Sequence, residues 1–402
     1  MKLIDRPTYT EKIIPFVNKP LIKVLTGQRR IGKSYIMLQL MEHIKTNDKK
    51  ANIIYINMEM EEFFSLKTNI ELSEYLKDKF PNNKNNYLFV DEVQEIVFFE
   101  RSLRSLLAEN ACDIYCTGSN ANMLSGELAT LLAGRYISFH IHSLSYTEFL
   151  VFHQLENNLE SLLKFLKYGG MPFLTHIGLN EELPYEYLRN VYSTILLKDV
   201  VAREKIRNVS FLENLAIYLA DNTGSLFSAT NISKYLKSQK IEISTQLTIN
   251  YLKALCNSFL IHRVLRAEVA GLKIFEIGEK YYFEDLGLRN AIIGFNQRAD
   301  MHKLIENAVY LNLIQNGFKV SVGKMAEKEI DFIGSKSGTK IYVQVCLTLN
   351  LASTAQQEFG NLLLIEDNYP KYVVTLNDIF IGENNVGIIH KNLIDFLTMN
   401  SL

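Results

Sequence analysis

Gly27-Gln28-Arg29-Arg30-Ile31-Gly32-Lys33-Ser34 is the stretch on which the reading of this chain turns. It fits G-x-x-x-x-G-K-[ST], and each fixed position has a physical reason. The glycines let the main chain curl, so that successive N–H groups point inward at phosphate oxygens. A helix beginning at Gly32 to Lys33 turns its positive N-terminal end toward the same anion. Lys33 supplies a mobile charge for the β- and γ-phosphates, and Ser34 a hydroxyl ligand for Mg2+. The expected cofactor contacts are Gly27, Arg29, Arg30, Ile31, Gly32, Lys33, Ser34 and the following Tyr35.

Chance alone produces the pattern in roughly one such chain in a hundred, so the neighbourhood decides. An apolar run (Leu21, Ile22, Val24, Leu25) leads in, and an amphipathic helical pattern (Ile36, Leu38, Leu40, Met41) leads out. Further apolar runs follow at Ile53–Ile56, Tyr87–Val90, Ile114–Cys116 and Tyr136–Ile141, most of them separated by helical patterns. Strands alternating with helices predict βαβ units and a parallel sheet, and continuously apolar strands fit a sheet covered on both faces. The expected fold class is α/β, with a P-loop NTPase sheet at its N-terminal end.

The third run closes on Asp91-Glu92. Asp91 is placed to hold Mg2+, directly or through water, and Glu92 to polarise an attacking water as general base. A solvated acidic turn is the plainer reading of such a pair; its position some 60 residues after the phosphate loop favours the catalytic one. The fourth run ends in Thr117-Gly118-Ser119-Asn120. Strand ends of a parallel sheet face the ligand crevice, so Ser119 or Asn120 either touches the γ-phosphate or the lytic water, or merely closes the strand. Arg135, just before the fifth run, is either an arginine finger, in its own or a neighbouring subunit, or a surface arginine.

Composition bounds the rest. The chain has 402 residues, 43 Lys+Arg against 44 Asp+Glu, and 48% hydrophobic residues, which is globular rather than disordered. The balanced charge argues against a protein coated in basic residues for bulk nucleic-acid binding, though not against a local basic face. Four cysteines (Cys112, Cys116, Cys256, Cys346) are too few for a disulfide framework, so a reducing, cytoplasmic compartment is expected. No apolar run approaches the ~18 residues of a membrane helix, and the first residues lack a signal-peptide core. Neither Cys112/Cys116 nor His140/His142, the latter alternating on one expected strand, completes a metal site.

The whole pattern resembles the AAA+-related bacterial and archaeal ATPases of the STAND-like branch. The matching residues are Leu25–Ser34, Phe89-Val90-Asp91-Glu92-Val93-Gln94, Thr117–Asn120, Leu132-Ala133-Gly134-Arg135 and Leu144–Phe149. Tyr168-Gly169-Gly170-Met171-Pro172 and Tyr282–Asn290 extend the match over nearly the whole chain. The resemblance implies ATP and Mg2+ as cofactors, with Lys33, Ser34, Asp91 and Glu92 in the binding, metal and base roles, and it favours Ser119 as the sensor. It implies an ATPase core (1–145), a helical lid or linker (146–225), a winged helix (226–298) and a C-terminal domain (299–402).

The winged-helix segment can be read from its residues. Ser228 to Asn231 caps a helix with Ile232, Tyr235 and Leu236 inward, and Ser244 caps a second with Leu247, Ile249, Leu252 and Leu255 inward. Strand-like runs at Ile261–Leu265, Ile274–Ile277 and Tyr281–Phe283 form the wing. Eight basic residues (Lys234, Lys237, Lys240, Lys253, Arg263, Arg266, Lys273, Lys280) face four glutamates (Glu242, Glu268, Glu276, Glu279). This modest excess leaves two uses open, DNA binding through the second helix and contact with a protein partner.

The last hundred residues resemble the PD-(D/E)xK restriction-endonuclease-like fold, with Glu306 on a helix, Asp331 at a strand end and Gln344-Val345-Cys346 on the next strand. That chemistry uses two or three carboxylates on Mg2+ and a lysine near the lytic water. Gln344 stands where the second acid belongs and Cys346 where the lysine belongs, so the domain is expected to be degenerate and non-cleaving. The expected activity is ATP hydrolysis that switches the protein toward a partner or another copy of itself. The alternatives are an ATP-licensed DNA-binding regulator or defence component, and a nucleotide-bound scaffold without turnover.

Overall fold

The computed structural model describes residues 4–121, 132, 134–180, 182–228, 230, 232–234, 244–269, 274–325, 328–348, 359–376, 382–383 and 387–399. Ala133, Ala229, Asn231, Tyr235, Leu236, Lys237, Lys240, Glu242 and Lys273, all named above, lie outside the described residues. The chain forms two compact units, Met1–His142 with Asn257–Phe259, and Ser143–Cys256 with Leu260–Leu402.

The first unit is built on a five-stranded sheet in the order β2-β3-β4-β1-β5. Its strands are β1 (Ile22–Thr26), β2 (Ala51–Asn57), β3 (Asn85–Asp91), β4 (Asp113–Gly118) and β5 (Tyr136–His140), and all neighbours are parallel. The helices α1 (Pro7–Ile13), α2 (Lys33–Asn47), α3 (Asn69–Leu76) and α4 (Phe99–Ala108) accompany it. The runs expected from apolar pattern are these five strands, and the α/β class holds. The interior strands β1 and β4 are buried along nearly their whole length, whereas the edge strand β5 is only partly covered. Val24, Leu88, Val90, Ile114 and Cys116 join Leu72, Leu76 and Leu103 of α3 and α4 in one core.

Lys23 breaks the apolar run of β1 and is fully buried. Burial pushes its ammonium below the ordinary lysine value, against an opposing ion pair with Asp113 of β4. The Lys19 carbonyl at 2.9 Å and the Tyr115 ring, 5.1 Å from the nitrogen, complete its surroundings. The thiols of Cys112 and Cys116 are each pushed by burial up to about 12, so Cys116 serves as a small apolar strand residue. His142 lies beyond the end of β5 rather than alternating along it, and its ring meets that of His140 at 4.3 Å.

In the second unit, helices Tyr146–His153, Leu159–Tyr168, Leu183–Thr194 and Val209–Asp221 precede a mixed eight-stranded sheet, order β12-β13-β11-β10-β9-β8-β6-β7. Its strands are β6 (Ile261–Glu268), β7 (Ile274–Phe283), β8 (Lys319–Met325), β9 (Lys328–Lys336), β10 (Thr339–Cys346), β11 (Lys371–Thr375), β12 (Gly382–Glu383) and β13 (Ile388–Asn392). The two runs on either side of Gly278 are one strand, and the β6–β7 hairpin extends the sheet by pairing β6 parallel to β8. On helix Thr245–Asn257 the inward stripe is Thr248, Tyr251, Leu252 and Leu255, an i, i+3, i+4, i+7 set. Ile249, expected inward, falls beside that stripe and is exposed.

The Tyr168–Pro172 and Tyr282–Asn290 segments meet in a glycine-dependent junction. Asp285 caps helix Leu286–Ile293 by accepting from Leu288 N at 2.9 Å, and its other oxygen accepts from Gly170 N at 2.7 Å. A Cβ on Gly287 would stand 2.0 Å from the Tyr168 carbonyl oxygen, so no other residue fits that approach. Burial pushes the Asp285 carboxyl up to about 7, against the hydrogen bonds that favour its charged form.

Candidate nucleotide-binding site

In a parallel sheet all the strand ends at one edge face one crevice, and β1, β3 and β4 deliver the sequence-singled residues there. Gly27 follows β1 with φ +147°, and a Cβ on it would collide with the Ile141 carbonyl oxygen at 2.2 Å. Gly32 is left-handed at φ 95° and opens α2 at Lys33. Arg6, buried in front of α1, donates to the Ile31 carbonyl at 2.9 Å and to the His142 carbonyl at 3.0 Å, which braces the loop from outside. Gln28 is fully buried, and its amide donates to the Phe259 carbonyl at 3.0 Å within the same unit.

Lys33 is folded over the loop, donating to the carbonyls of Gly27 (3.1 Å) and Gln28 (2.9 Å), with Glu92 Oε1 at 3.8 Å. Ser34 hydrogen-bonds Asp91. Asp91 Oδ2 also accepts from the Tyr55 hydroxyl at 3.2 Å, and Oδ1 from Thr117 Oγ1. Thr117 Oγ1 in turn accepts from Glu92 N at 2.9 Å. Glu92 is left-handed at φ 55°, a conformation unusual for a residue with a side chain. Ser119 Oγ donates to Glu92 Oε2 at 3.1 Å, and Gln94 Nε2 donates to the same oxygen.

The two neighbouring carboxyls are pushed in opposite directions. Burial raises Asp91 above the ordinary range, outweighing its bonds from Ser34 and Thr117, and the charge of Glu92 adds to the rise. Burial also works against Glu92, but the charges of Lys33 and Arg29 and the bonds from Gln94 and Ser119 hold it below its ordinary value. The surroundings of Glu92 therefore favour its carboxylate form, and Asp91 is a carboxyl whose charged form a divalent cation would stabilise. The hydroxyl of Ser34, the carboxyl of Asp91 and the loop N–H groups fit Mg2+ and a polyphosphate.

The converging set is thus Gly27, Lys33, Ser34, Asp91, Glu92 and Ser119, with Arg29 buried beside Glu92 and ion-paired to Glu59 at 3.3 Å. Ile31 is buried and Asn120 closes β4 in a buried position, whereas Arg30 and Tyr35 are exposed. Arg135 is exposed and sits at the other edge of the sheet. It precedes the start of β5, where its carbonyl accepts from Ile22 N at 3.0 Å, while the phosphate loop follows the end of β1. Five residues of strand, about 16 Å, separate the two levels. The sequence reading quoted Thr117 without giving it a role and did not reach Tyr55 or Arg6. Thr117 carried a signal, since pairing Val90 with Cys116 puts Asp91 level with it; Tyr55 and Arg6 depend on sheet order and loop packing.

The C-terminal residues also come together, around a group the sequence reading assigned elsewhere. Glu306 of helix Gln297–Gln315 and Asp331 of β9 both contact Lys280 of β7, as does Glu329. Lys280 was counted toward a DNA-facing surface, yet it is buried with 3% exposure. Arg263, counted with it, forms an ion pair with Glu279. Gln344 Oε1 accepts from Asp331 N at 3.2 Å, and Cys346 is a buried free cysteine.

The five-stranded parallel sheet and the glycine-rich loop that follows its β1 strand are those of the P-loop NTPase fold. Residues 19–150 match the family model of an AAA domain, and residues 159–299 match a domain of unknown function. An uncharacterized protein of Haemophilus influenzae is 33% identical over 93% of this chain and 93% of its own length. The uncharacterized protein MJ1544 of Methanocaldococcus jannaschii is 30% identical over 91% of this chain and 84% of its own. This chain belongs to the same family as those two proteins. Among solved structures, the Walker-type ATPase PabY2304 of Pyrococcus abyssi is similar at 18% identity and a TM-score of 0.45, covering 72% of this chain and 95% of its own. Among the described residues no helix is long and apolar enough to cross a membrane.

Proposed function

We propose that this protein binds ATP with Mg2+ at the Gly27–Ser34 loop and hydrolyses it, using nucleotide state to switch its association with a protein partner or with further copies of itself. The observation that carries the reading is the opposite tuning of the strand-end pair, with Glu92 ionised and oriented by Ser119, Gln94 and Thr117 while Asp91 shares a hydrogen bond with Ser34. Lys33 gives up neutral carbonyls for phosphate oxygens. Ser34 and Asp91 would hold the ion, which supplies charge neutralisation at the phosphates. Glu92 accepts a proton from the attacking water, and Ser119 fixes the carboxylate that does so.

Self-assembly rests on Arg135. It stands level with the start of β1, so reaching a nucleotide as an arginine finger would require a neighbouring copy. A protein partner is favoured over DNA because Lys280 and Arg263 are engaged by carboxylates. The C-terminal acidic residues act in holding the fold rather than in cleaving nucleic acid.

Steady-state phosphate release with and without DNA tests the whole reading. Turnover that is indifferent to DNA is expected, and dependence on DNA would transfer the reading to a DNA-engaging regulator. Glu92→Gln should keep ATP binding and lower turnover by ~10²–10⁴-fold. Normal turnover in that variant would remove Glu92 from the base role.

A further inference from the structure

The acidic group of the second unit has an occupant supplied by the chain itself. Lys280 Nζ lies 2.9 Å from Glu306 Oε1, 2.9 Å from Glu329 Oε1 and 3.4 Å from Asp331 Oδ1. Glu306 and Asp331 accept hydrogen bonds from this ammonium, which has donors and no acceptor, and Glu329 adds an ion pair. The carboxylates take further donors. Tyr282 donates its hydroxyl at 2.6 Å to Glu306 Oε1, the oxygen that Lys280 also holds, and Val345 N donates to Asp331 Oδ2 at 2.9 Å. His302 lies 3.8 Å from Glu306 Oε2. A Cβ on Gly224 would come within 3.1 Å of the Glu306 carboxylate, so the backbone closes over it as well.

The restriction-endonuclease resemblance of the last hundred residues implies a divalent metal on Glu306 and Asp331. The side chains present do not fit one. A cation bound between these carboxylates would sit next to a fixed ammonium already held by the same oxygens, and two like charges so close repel strongly in a buried setting. We propose that the Lys280 ammonium is the resident cation of this site and takes the place of the metal ion, tying β7, helix Gln297–Gln315 and β9 together. Its electrostatics agree. Burial works to discharge Lys280, yet Glu306, Asp331 and Glu329 outweigh it and raise the lysine above its ordinary value. For Asp331 burial raises the carboxyl, with Lys280 opposing.

The arrangement explains why Gln344 and Cys346 stand where an acid and a lysine would otherwise be needed. With the positive charge arriving from β7, a lysine at 346 would add a second cation, and the amide of Gln344 satisfies the Asp331 backbone without adding negative charge. The site is therefore an internal ion cluster that carries its own cation. Breaking it from the lysine side leaves three carboxylates facing one another, which is the situation that recruits a divalent ion with oxygen ligands.

The test is thermal unfolding and Mn2+ calorimetry on the nucleotide-free full chain, so it does not depend on the ATPase reading. In the wild type, Mn2+ is expected to give the same melting temperature as chelator, and Glu329→Gln is expected to leave that insensitivity unchanged. Lys280→Ala should melt lower in chelator and regain at least ~2 °C with Mn2+, and the double variant Lys280→Ala/Glu329→Gln should lose that recovery. A wild-type response to Mn2+ that disappears in Glu329→Gln would overturn the proposal, since metal would then bind with the lysine in place. So would a folded Lys280→Ala indifferent to Mn2+, or Mg2+-dependent DNA cleavage abolished in Asp331→Ala. Should Lys280→Ala fail to fold, the wild-type and Glu329→Gln pair still decides.

Discussion

Two buried lysines, Lys33 in the first unit and Lys280 in the second, differ in what surrounds them. Lys33 rests on two neutral backbone carbonyls, with Glu92 at the longer distance of 3.8 Å. Lys280 is enclosed by three carboxylates within 3.4 Å. A neutral acceptor is readily exchanged for a phosphate oxygen, because the ammonium gains charge–charge attraction by moving. A carboxylate cage is exchanged for nothing, because removing the ammonium leaves buried negative charge uncompensated. The lesson is that burial does not by itself mark a lysine as functional. The charge of its partners separates an ammonium that waits for a ligand from one that has replaced it.

Exchanging readouts between the two lysines is the hardest test of this contrast. Lys33→Ala should lower ATP affinity by about 100-fold or more, since two charge-assisted hydrogen bonds of ~1.5–3 kcal/mol each are lost, while unfolding in denaturant stays close to wild type. Lys280→Ala should do the reverse, keeping ATP affinity while losing ~3–5 kcal/mol of stability. Calorimetry with ATP and Mg2+, beside urea unfolding of both variants, measures each. Equal loss of stability in the two would erase the distinction.

The pH dependence sharpens it at a third buried charge. Asp285 is pushed from an ordinary 3.8 up to about 7 by burial. Between those values the folded chain keeps a proton that the unfolded chain has released. Stability from this group is therefore greatest below about pH 4, falls as pH rises to about 7, and is level above. The slope is at most ~1.4 kcal/mol per pH unit. Asp285→Ala should melt lower and show a flatter stability curve over that window; an unchanged slope would show that Asp285 ionises normally in the fold. Tyr55→Phe should have the smallest effect. Losing one hydrogen bond to Asp91 is worth ~0.5–1.5 kcal/mol, so the Mg2+ concentration needed for ATP binding should rise less than about tenfold. A rise beyond 100-fold would put Tyr55 among the groups that hold the ion.

Much of the first unit was legible because its signals are local. Continuous apolar runs gave the strands, and Gly27, Gly32, Lys33 and Ser34 carry their conformational and chemical roles within eight residues. Asp91 and Glu92 were legible for the same reason, as the end of an apolar strand. Thr117 was visible only through register, and Tyr55 and Arg6 act through partners 36 and 25 residues away. In the second unit the apolar pattern placed β6 and both halves of β7. It did not reveal that this hairpin joins the C-terminal sheet, because strand order is set by long-range pairing that no local period encodes. Lys280 was misassigned to a basic surface for that reason.

By itself, then, the sequence determined a glycine-rich loop at the edge of a parallel sheet and the acidic pair that faces it, because backbone curvature, helix start and strand end are written in adjacent residues. The tertiary structure alone decided which charges meet: that Ser119 and Gln94 converge on Glu92, that Arg135 stands at the far edge of its own sheet, and that Lys280 fills the acidic site of the second unit. Electrostatic energy depends on distance in space and on burial, and neither is fixed until the strands have chosen their neighbours.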